Sequence, residues 1–184
     1  MPKILQCSRE TMIETARKIL LEKGYDACTV REVASVCGVS VGTIYTYFSS
    51  KDVLVVHAIA AEWFQLLDET RRKSRSWRTA EEGIAQFYAD MRQFAFKYKA
   101  FFLHPPAKEK DSKDYYKGFH ILAEQIDGIM SLLLAPCGRE NDKALSAFLS
   151  NMMIAYVRKA VTDPEDTGYE QFRPFVEKLL RSDS

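Results

Sequence analysis

The sequence has few of the residues from which catalytic and metal-binding motifs are built. Eight glycines and three histidines are scattered over 184 residues. They form no glycine-rich phosphate loop, no H-E-x-x-H motif and no G-x-S-x-G motif. His57 lies beside the apolar face of a predicted helix, which is typical of a structural histidine, whereas His104 and His120 carry weak signals. The sequence therefore predicts no catalytic residue, no metal site and no cofactor.

Long apolar runs and an excess of one charge are also missing. No run is long enough to cross a membrane, and the N-terminus lacks the pattern of a signal peptide. The net charge is +1, and residues 1–51 hold seven Lys or Arg against five Asp or Glu. The four cysteines have no metal-binding spacing, so we expect reduced thiols in a cytoplasmic protein without a membrane partner. Any contact with nucleic acid must then depend on a local surface.

Residues 29–51 show the pattern of two short helices joined by a tight turn. Thr29 and Ser40 are residue types that cap helix N-termini. Gly38 stands where the first helix needs a left-handed residue in order to end, and Ile44 is spaced to anchor the second helix from beneath. The stretch therefore predicts a helix-turn-helix.

The second of these helices has an unusual outward face, because residues 33–50 contain no charged residue. Hydroxyls and phenols replace the Lys and Glu of an ordinary solvated helix, and such groups can contact base edges, phosphates and thymine methyls. We expect Thr43, Tyr45 and Tyr47 to face DNA. Thr29, Ser40 and Lys51 are expected on phosphates, and Arg31 on a phosphate or a base edge. The full set of predicted DNA-binding residues is Thr29, Arg31, Ser40, Val41, Gly42, Thr43, Tyr45, Thr46, Tyr47 and Lys51.

Residues 8 to 55 resemble the DNA-binding domain of the TetR family, the tetracycline-repressor-like bacterial regulators. The resemblance is carried by ARKIL with GY at residues 24–25, by TVREVA, by GVSVGTIY, and by YF followed by SK at residues 50–51. It covers about a quarter of the chain. Beyond that quarter the family is recognised by helical architecture alone, so the resemblance does not identify what the remainder binds.

This resemblance implies an all-α fold with two domains. A three-helix DNA-binding domain is expected at residues 1–50, and a larger helical domain for ligand binding and dimerisation at residues 51–184. The family's usual mechanism is that of a repressor: a homodimer presents two reader helices to successive major grooves of a double-stranded operator. A small-molecule effector then shifts the fourth helix and releases the DNA.

Apolar periodicity predicts further helices after the reader. They are expected at residues 51–74, 79–102, 115–135 and 141–161, followed by a last helix with Pro174 in its first turn. Their aromatic and methionine stripes either fill a core or surround an apolar effector. The predicted effector-binding residues are Trp63, Phe87, Met91, Phe94, Phe119, Met152 and Tyr156. Since no acidic residue lies centrally on these stripes, we expect a neutral or anionic effector.

The helix at 141–161 is apolar on two faces, which predicts burial on two sides. Phe148 and its neighbours are assigned to the protomer's own core, and the opposite face to a second subunit. The predicted dimer interface is Ala147, Ser150, Ile154, Val157 and Val161, together with Phe172, Phe175, Val176 and Leu179 of the last helix. Two other classes stay open at this point: a helical enzyme or carrier, and a protein-interaction adaptor with an incidental helix-turn-helix. Specific binding to a duplex with two half-sites separates them from a regulator.

Overall fold

The computed structural model describes residues 7–100, 122–163 and 168–181, and these residues contain helices and turns but no strand. The predicted all-α class is therefore confirmed. The described helices are α1 (Arg9–Lys23), α2 (Val30–Cys37), α3 (Val41–Tyr47), α4 (Lys51–Ser74), α5 (Ala80–Lys97), α6 (residues 122–133), α7 (Lys143–Thr162) and α8 (Tyr169–Arg181), with a 3-10 turn at Ala135–Cys137 between α6 and α7.

Helix starts are set by short polar side chains, as their sequence positions predict. The hydroxyls of Ser8, Thr29, Ser40 and Thr79 each accept a hydrogen bond from the backbone N–H three residues further on. The Asp142 carboxylate accepts the corresponding bond from Leu145 at 2.9 Å. Each such cap satisfies one of the backbone donors that a helix leaves open at its start.

The described residues pack as two compact units, 7–62 with Ala100 and 63–99 with 122–163 and 168–181. The division falls inside α4, between Glu62 and Trp63, whereas the sequence placed the domain boundary between residues 50 and 51. In the first unit the interior is built from α1, α2, α3 and the first half of α4. Its fully buried side chains include Met12, Ala16, Val33, Ile44, Phe48 and Leu54.

In the second unit α5 packs against both α7 and α8, which also pack against each other. The α5 residues on the inner face, among them Ile84, Phe87 and Tyr88, are almost fully buried. Tyr88 joins the helices through its ring, whose centroid lies 5.3 Å from that of Tyr169 and 6.2 Å from that of Phe172. The large apolar side chains of α5 thus hold the two C-terminal helices.

Two helix boundaries differ from the prediction. α5 ends at Lys97 instead of continuing to residue 102, because Tyr98 leaves the helical region with ψ at 23°. Pro174 lies inside α8 and not in its first turn. Burial of Phe172, together with the contact of Tyr169 on Tyr88, extends that helix toward its N-terminus, and Pro174 itself faces solvent. The predicted start of the helix at 115–135 lies outside the described residues.

Candidate functional site

The turn between α2 and α3 has the conformation that the sequence predicts. Gly38 adopts φ 67° and ψ 29°, which is the left-handed region, and its N–H donates to the carbonyls of Ala34 and Ser35. Val39 N–H also donates to Ala34 at 3.0 Å. These bonds satisfy the last carbonyls of α2 and reverse the chain within three residues. Ser40 then caps α3.

The outward face of α3 is uncharged and open to solvent. Tyr45 and Tyr47 keep 53% and 48% of their surface exposed, although the next residue on either side of them, Ile44 and Phe48, is fully buried. The Thr46 hydroxyl donates to the Gly42 carbonyl at 3.0 Å. The phenol groups therefore project from a helix that is anchored from beneath, which is the arrangement that a groove-reading helix needs.

The predicted phosphate contacts lie around this helix. The hydroxyls of Thr29 and Ser40 are engaged as helix caps, each at 3.1 Å from a backbone nitrogen. Arg31 is exposed. The Lys51 ammonium lies 3.8 Å from the centroid of the Tyr25 ring, and the Tyr25 hydroxyl donates to the Asp52 carboxylate. Lys51 is thus a cation held in place at the start of α4.

The sequence did not predict one cluster of side chains in this unit. The Arg9 side chain lies against Phe48 and His57, which follow it in the chain by 39 and 48 residues. His57 had been assigned a structural role from its place beside the apolar face of α4. Burial first, and the Arg9 charge second, lower the pKa of His57. No periodicity in the sequence links residues so far apart, and a contact of this kind emerges only when α1 and α4 pack together.

The second unit holds the predicted effector-binding residues in two groups. Trp63 and Phe94 are buried, with ring centroids 5.3 Å apart, and the Trp63 indole N–H donates to the Gln125 amide oxygen at 2.6 Å. Half-buried Tyr156 lies elsewhere, with its ring centroid 5.4 Å from that of Phe172. Of the other predicted lining residues, Phe87 and Met91 are buried, Met152 is half-buried, and Phe119 lies outside the described residues.

Two polar side chains of this interior were missed or misassigned. Gln125, the partner of Trp63, belongs to no apolar stripe and gave no signal in the sequence. Ser150 was predicted at the dimer interface, but it is 3% exposed, and among the described residues its hydroxyl has no hydrogen-bond partner. One turn earlier on α7, the Ser146 hydroxyl contacts Asp127 and lies 3.1 Å from the hydroxyl of Ser131. An unpaired hydroxyl in an interior costs about 1–3 kcal/mol, so Ser150 is the more unusual of the two serines.

The predicted dimer face requires a correction. The buried members of that face are Ser150, Val157, Val161, Phe172 and Val176, all enclosed within the protomer. Ala147, Ile154 and Leu179 are half-buried, and Phe175 is half exposed. Phe148, which the sequence analysis placed in the core, keeps 51% of its surface exposed. The buried side of α7 therefore takes residues from both predicted faces, with Leu145 and Leu149 from the one and Ser150, Val157 and Val161 from the other.

Two of the four cysteine thiols have raised pKa values. Burial and the neighbouring Cys37 thiol raise the pKa of Cys7 to about 11, and burial raises the pKa of Cys28 to about 11. Both thiols therefore stay protonated at neutral pH. In the described part of the chain no three His, Cys, Asp or Glu side chains come together as metal ligands. None of the described helices combines the length and the apolar character that a membrane crossing needs.

The first unit has the architecture of a DNA-binding module: a helix-turn-helix, braced by α1, with an exposed uncharged reader helix. Comparison with known proteins identifies a similar module. Residues 12–58 match the family model described as bacterial regulatory proteins, tetR family. In sequence it is similar to the uncharacterized HTH-type transcriptional regulator YerO of Bacillus subtilis, with 40% identity over 50 residues, which are 27% of this chain and 17% of YerO.

Solved structures resemble the chain over nearly its whole length. The fatty acid degradation regulator FadR from Bacillus halodurans superposes with a TM-score of 0.60 at 18% identity, covering 99% of this chain and 96% of that one. FadR from Bacillus subtilis, solved in complex with stearoyl-CoA, gives 0.58 at 19% identity, with 95% and 98% covered. At these identities the likeness establishes the fold. The sequence match to YerO spans 17% of that protein's length.

Proposed function

We propose that the protein is a sequence-specific DNA-binding transcriptional regulator, acting as a cytoplasmic repressor that a small-molecule effector releases from its operator. The observation that carries the proposal is the reader helix. Its exposed Tyr45 and Tyr47 project from the family's DNA-binding module while Ile44 anchors the same helix in the core. Exposed phenols on an anchored helix without charges suit a groove better than they suit bulk solvent.

Selection of duplexes from a random-sequence pool by the full chain tests this function. A regulator should enrich duplexes with two related half-sites about one helical turn apart or a little more. The reader variant Tyr45→Ala should enrich weakly or not at all, while Tyr45→Phe separates the loss of the ring from the loss of the hydroxyl. If the wild-type chain enriches no sequence, the function is not DNA recognition.

The second part of the proposal is a homodimer built on the exposed apolar side chains of α7 and α8. Phe148 and Phe175 are 51% and 50% exposed and lie on two helices that pack against each other. Large exposed aromatics on adjacent helices favour a self-complementary contact. Two copies are also what a pair of reader helices requires, because each protomer supplies one.

The third part is an apolar, neutral or anionic effector held in the second unit. The candidate walls are the aromatic residues around Trp63 and Phe94. Gln125 beside Trp63, and Ser150 buried elsewhere in the same unit, are candidate polar groups to orient it. The stearoyl-CoA bound to FadR of Bacillus subtilis makes long-chain acyl compounds the first probes.

A thermal-shift series tests the effector. Stearoyl-CoA and stearic acid should raise the melting temperature and dissociate a selected duplex, since a ligand that binds the native state stabilises it. Tetraphenylphosphonium, an apolar cation, is the control. A melting temperature raised by the cation alone would contradict the charge argument.

A further inference from the structure

Arg9, the first residue of α1, is held by two side chains from other parts of the first unit. Its Nη2 atom lies 3.0 Å from Nε2 and 3.3 Å from Nδ1 of His57. Its guanidinium carbon lies 5.3 Å from the centroid of the Phe48 ring, and that ring meets the His57 ring edge-on at 5.6 Å. A neutral imidazole offers one nitrogen as acceptor, and the tautomer determines which of the two nitrogens accepts from Arg9, while the guanidinium also lies near the Phe48 ring.

Arg9 differs from other cations of the module in its partners. Two other cations of the module have carboxylate partners, Arg17 with Glu14 at 2.9 Å and Lys23 with Glu32 at 2.8 Å. Among the residues that the structure describes, no carboxylate forms an ion pair with Arg9. The adjacent Glu10 is engaged by its own backbone N–H and by the Ser8 hydroxyl, which with the weaker effect of Arg9 lower its pKa.

Arg9 also lies at the end of the reader helix. Phe48 directly follows α3 and is fully buried, so it fixes the ring on which the guanidinium rests. The ring of the preceding residue, half-exposed Tyr47, lies 6.4 Å away by centroids. Phe48, against which the cation lies, is therefore also the neighbour of a residue of the predicted DNA-facing surface.

We propose that Arg9 contacts a backbone phosphate of the DNA duplex and that His57 is the positioning residue that holds it for this contact. The inference rests on the proposed DNA-binding function and deepens it. A guanidinium presents several N–H donors in one plane, which suits phosphate oxygens. His57 and Phe48 reduce the rotamer freedom that Arg9 loses on binding, and preorganisation of this kind increases affinity.

The groups around His57 are compatible with this role. From α1 the charged side chain that contacts His57 is Arg9, and Phe48 at the end of α3 contributes an apolar ring. On α4 itself the residues one turn away, 53, 54, 60 and 61, are all apolar. With its pKa lowered, the imidazole is neutral at pH 7.5 and keeps an acceptor for Arg9.

The test measures binding to the duplex that the wild-type chain selects, at several salt concentrations and pH 7.5. Each phosphate contact contributes about 0.9 to the slope of log affinity against log salt. Arg9→Ala should therefore lower the slope by about 1.8 for the two protomers of a dimer. Lys18→Ala is the matched control, an exposed cation nine residues later on the opposite side of α1, and it should leave the slope unchanged.

His57 is tested with two variants. His57→Phe keeps a ring beside Phe48 but removes the acceptor, so affinity should fall by about 2- to 12-fold per immobilised side chain while the salt slope stays near that of the wild type. His57→Gln restores an acceptor and should restore affinity. Melting curves of all variants show whether each one is folded at the temperature of the assay.

The outcomes separate the two hypotheses. A wild-type slope in folded Arg9→Ala overturns the phosphate contact. Full affinity in His57→Phe, or equal loss in His57→Phe and His57→Gln, overturns the positioning role. If the wild-type chain selects no duplex, the proposed function fails, and the phosphate contact fails with it.

Discussion

The two units of this protein differ in what their residues are placed to do. In the first unit the chemistry faces outward: Tyr45 and Tyr47 stand exposed on α3 while the interior is apolar. In the second unit the unusual groups face inward, with the Trp63–Gln125 hydrogen bond and the unpaired Ser150 hydroxyl inside.

The two units also differ in their similarity to known proteins. The family model covers residues 12–58, whereas over nearly the whole chain the solved structures share the fold at only 18–19% identity. On the proposed function, the first unit must fit a DNA duplex of nearly constant shape, so its helix caps, its turn and its exposed face are all constrained. The proposed ligand-binding unit has to preserve only a packed set of helices around a variable interior.

The largest effect is expected when the buried face and the exposed face of α3 are each changed by a substitution. Ile44→Ala removes a fully buried side chain and should cost about 2–5 kcal/mol of unfolding free energy. Tyr45→Ala, one residue away, should change the stability by no more than about 0.5 kcal/mol but should weaken binding to the selected duplex by about 1–3 kcal/mol. Denaturant unfolding and duplex titration measure the two quantities. Equal destabilisation by the two variants would place Tyr45 in the core and would remove the contrast between the units.

A second contrast concerns the outer face of α7. Phe148→Asp puts a charge where we propose a partner protomer and should convert the dimer into a monomer, since charged groups are excluded from the centre of such contacts. Sedimentation measures the change. Phe64→Asp is the control, because Phe64 is equally exposed, at 50%, on α4. A dimer that survives Phe148→Asp and dissociates with Phe64→Asp would move the interface to α4.

A smaller effect is expected at the buried serine hydroxyls of the second unit. Ser150→Ala removes a hydroxyl without a partner and should leave stability unchanged or raise it by about 1 kcal/mol. Ser146→Ala, one turn earlier, breaks contacts with Asp127 and Ser131 and should destabilise by about 1–3 kcal/mol. Thermal and denaturant unfolding compare the pair. Destabilisation by Ser150→Ala equal to that by Ser146→Ala would show that both hydroxyls are bonded.

The smallest effect is a pH dependence of the first unit. The pKa of His57 is lowered in the folded protein, so below about pH 6.5 the unfolded chain takes up the proton first. This contribution should reduce stability as the pH falls through 6.5 toward the folded-state pKa, and His57→Gln should lack it. Unfolding curves between pH 8 and 5.5 measure the difference. If the wild type gained stability relative to His57→Gln on acidification, the protonated ring would be favoured in the native state.

The sequence predicts the parts of the site that are held by contacts between residues close together in the chain. Ser8, Thr29 and Ser40 cap helices through bonds to residues three positions away, and Gly38 turns the chain with neighbours on both sides. Such contacts are written into short stretches of sequence, so the helix-turn-helix and its outward face were predictable. The cluster of Arg9, Phe48 and His57 was not, because its members come from three separate segments.

The sequence by itself determined where the helices with polar caps begin, where the helix-turn-helix turns, and which side chains of α3 face outward. Only the tertiary structure decided which face of α7 is covered, because both faces are apolar and periodicity cannot rank them. It also decided that Ser150 is enclosed without a partner and that Arg9 rests on Phe48 and His57. The physical reason is that local backbone bonds depend on neighbours in the chain, whereas burial and charge pairing depend on whichever distant surfaces the packing brings together.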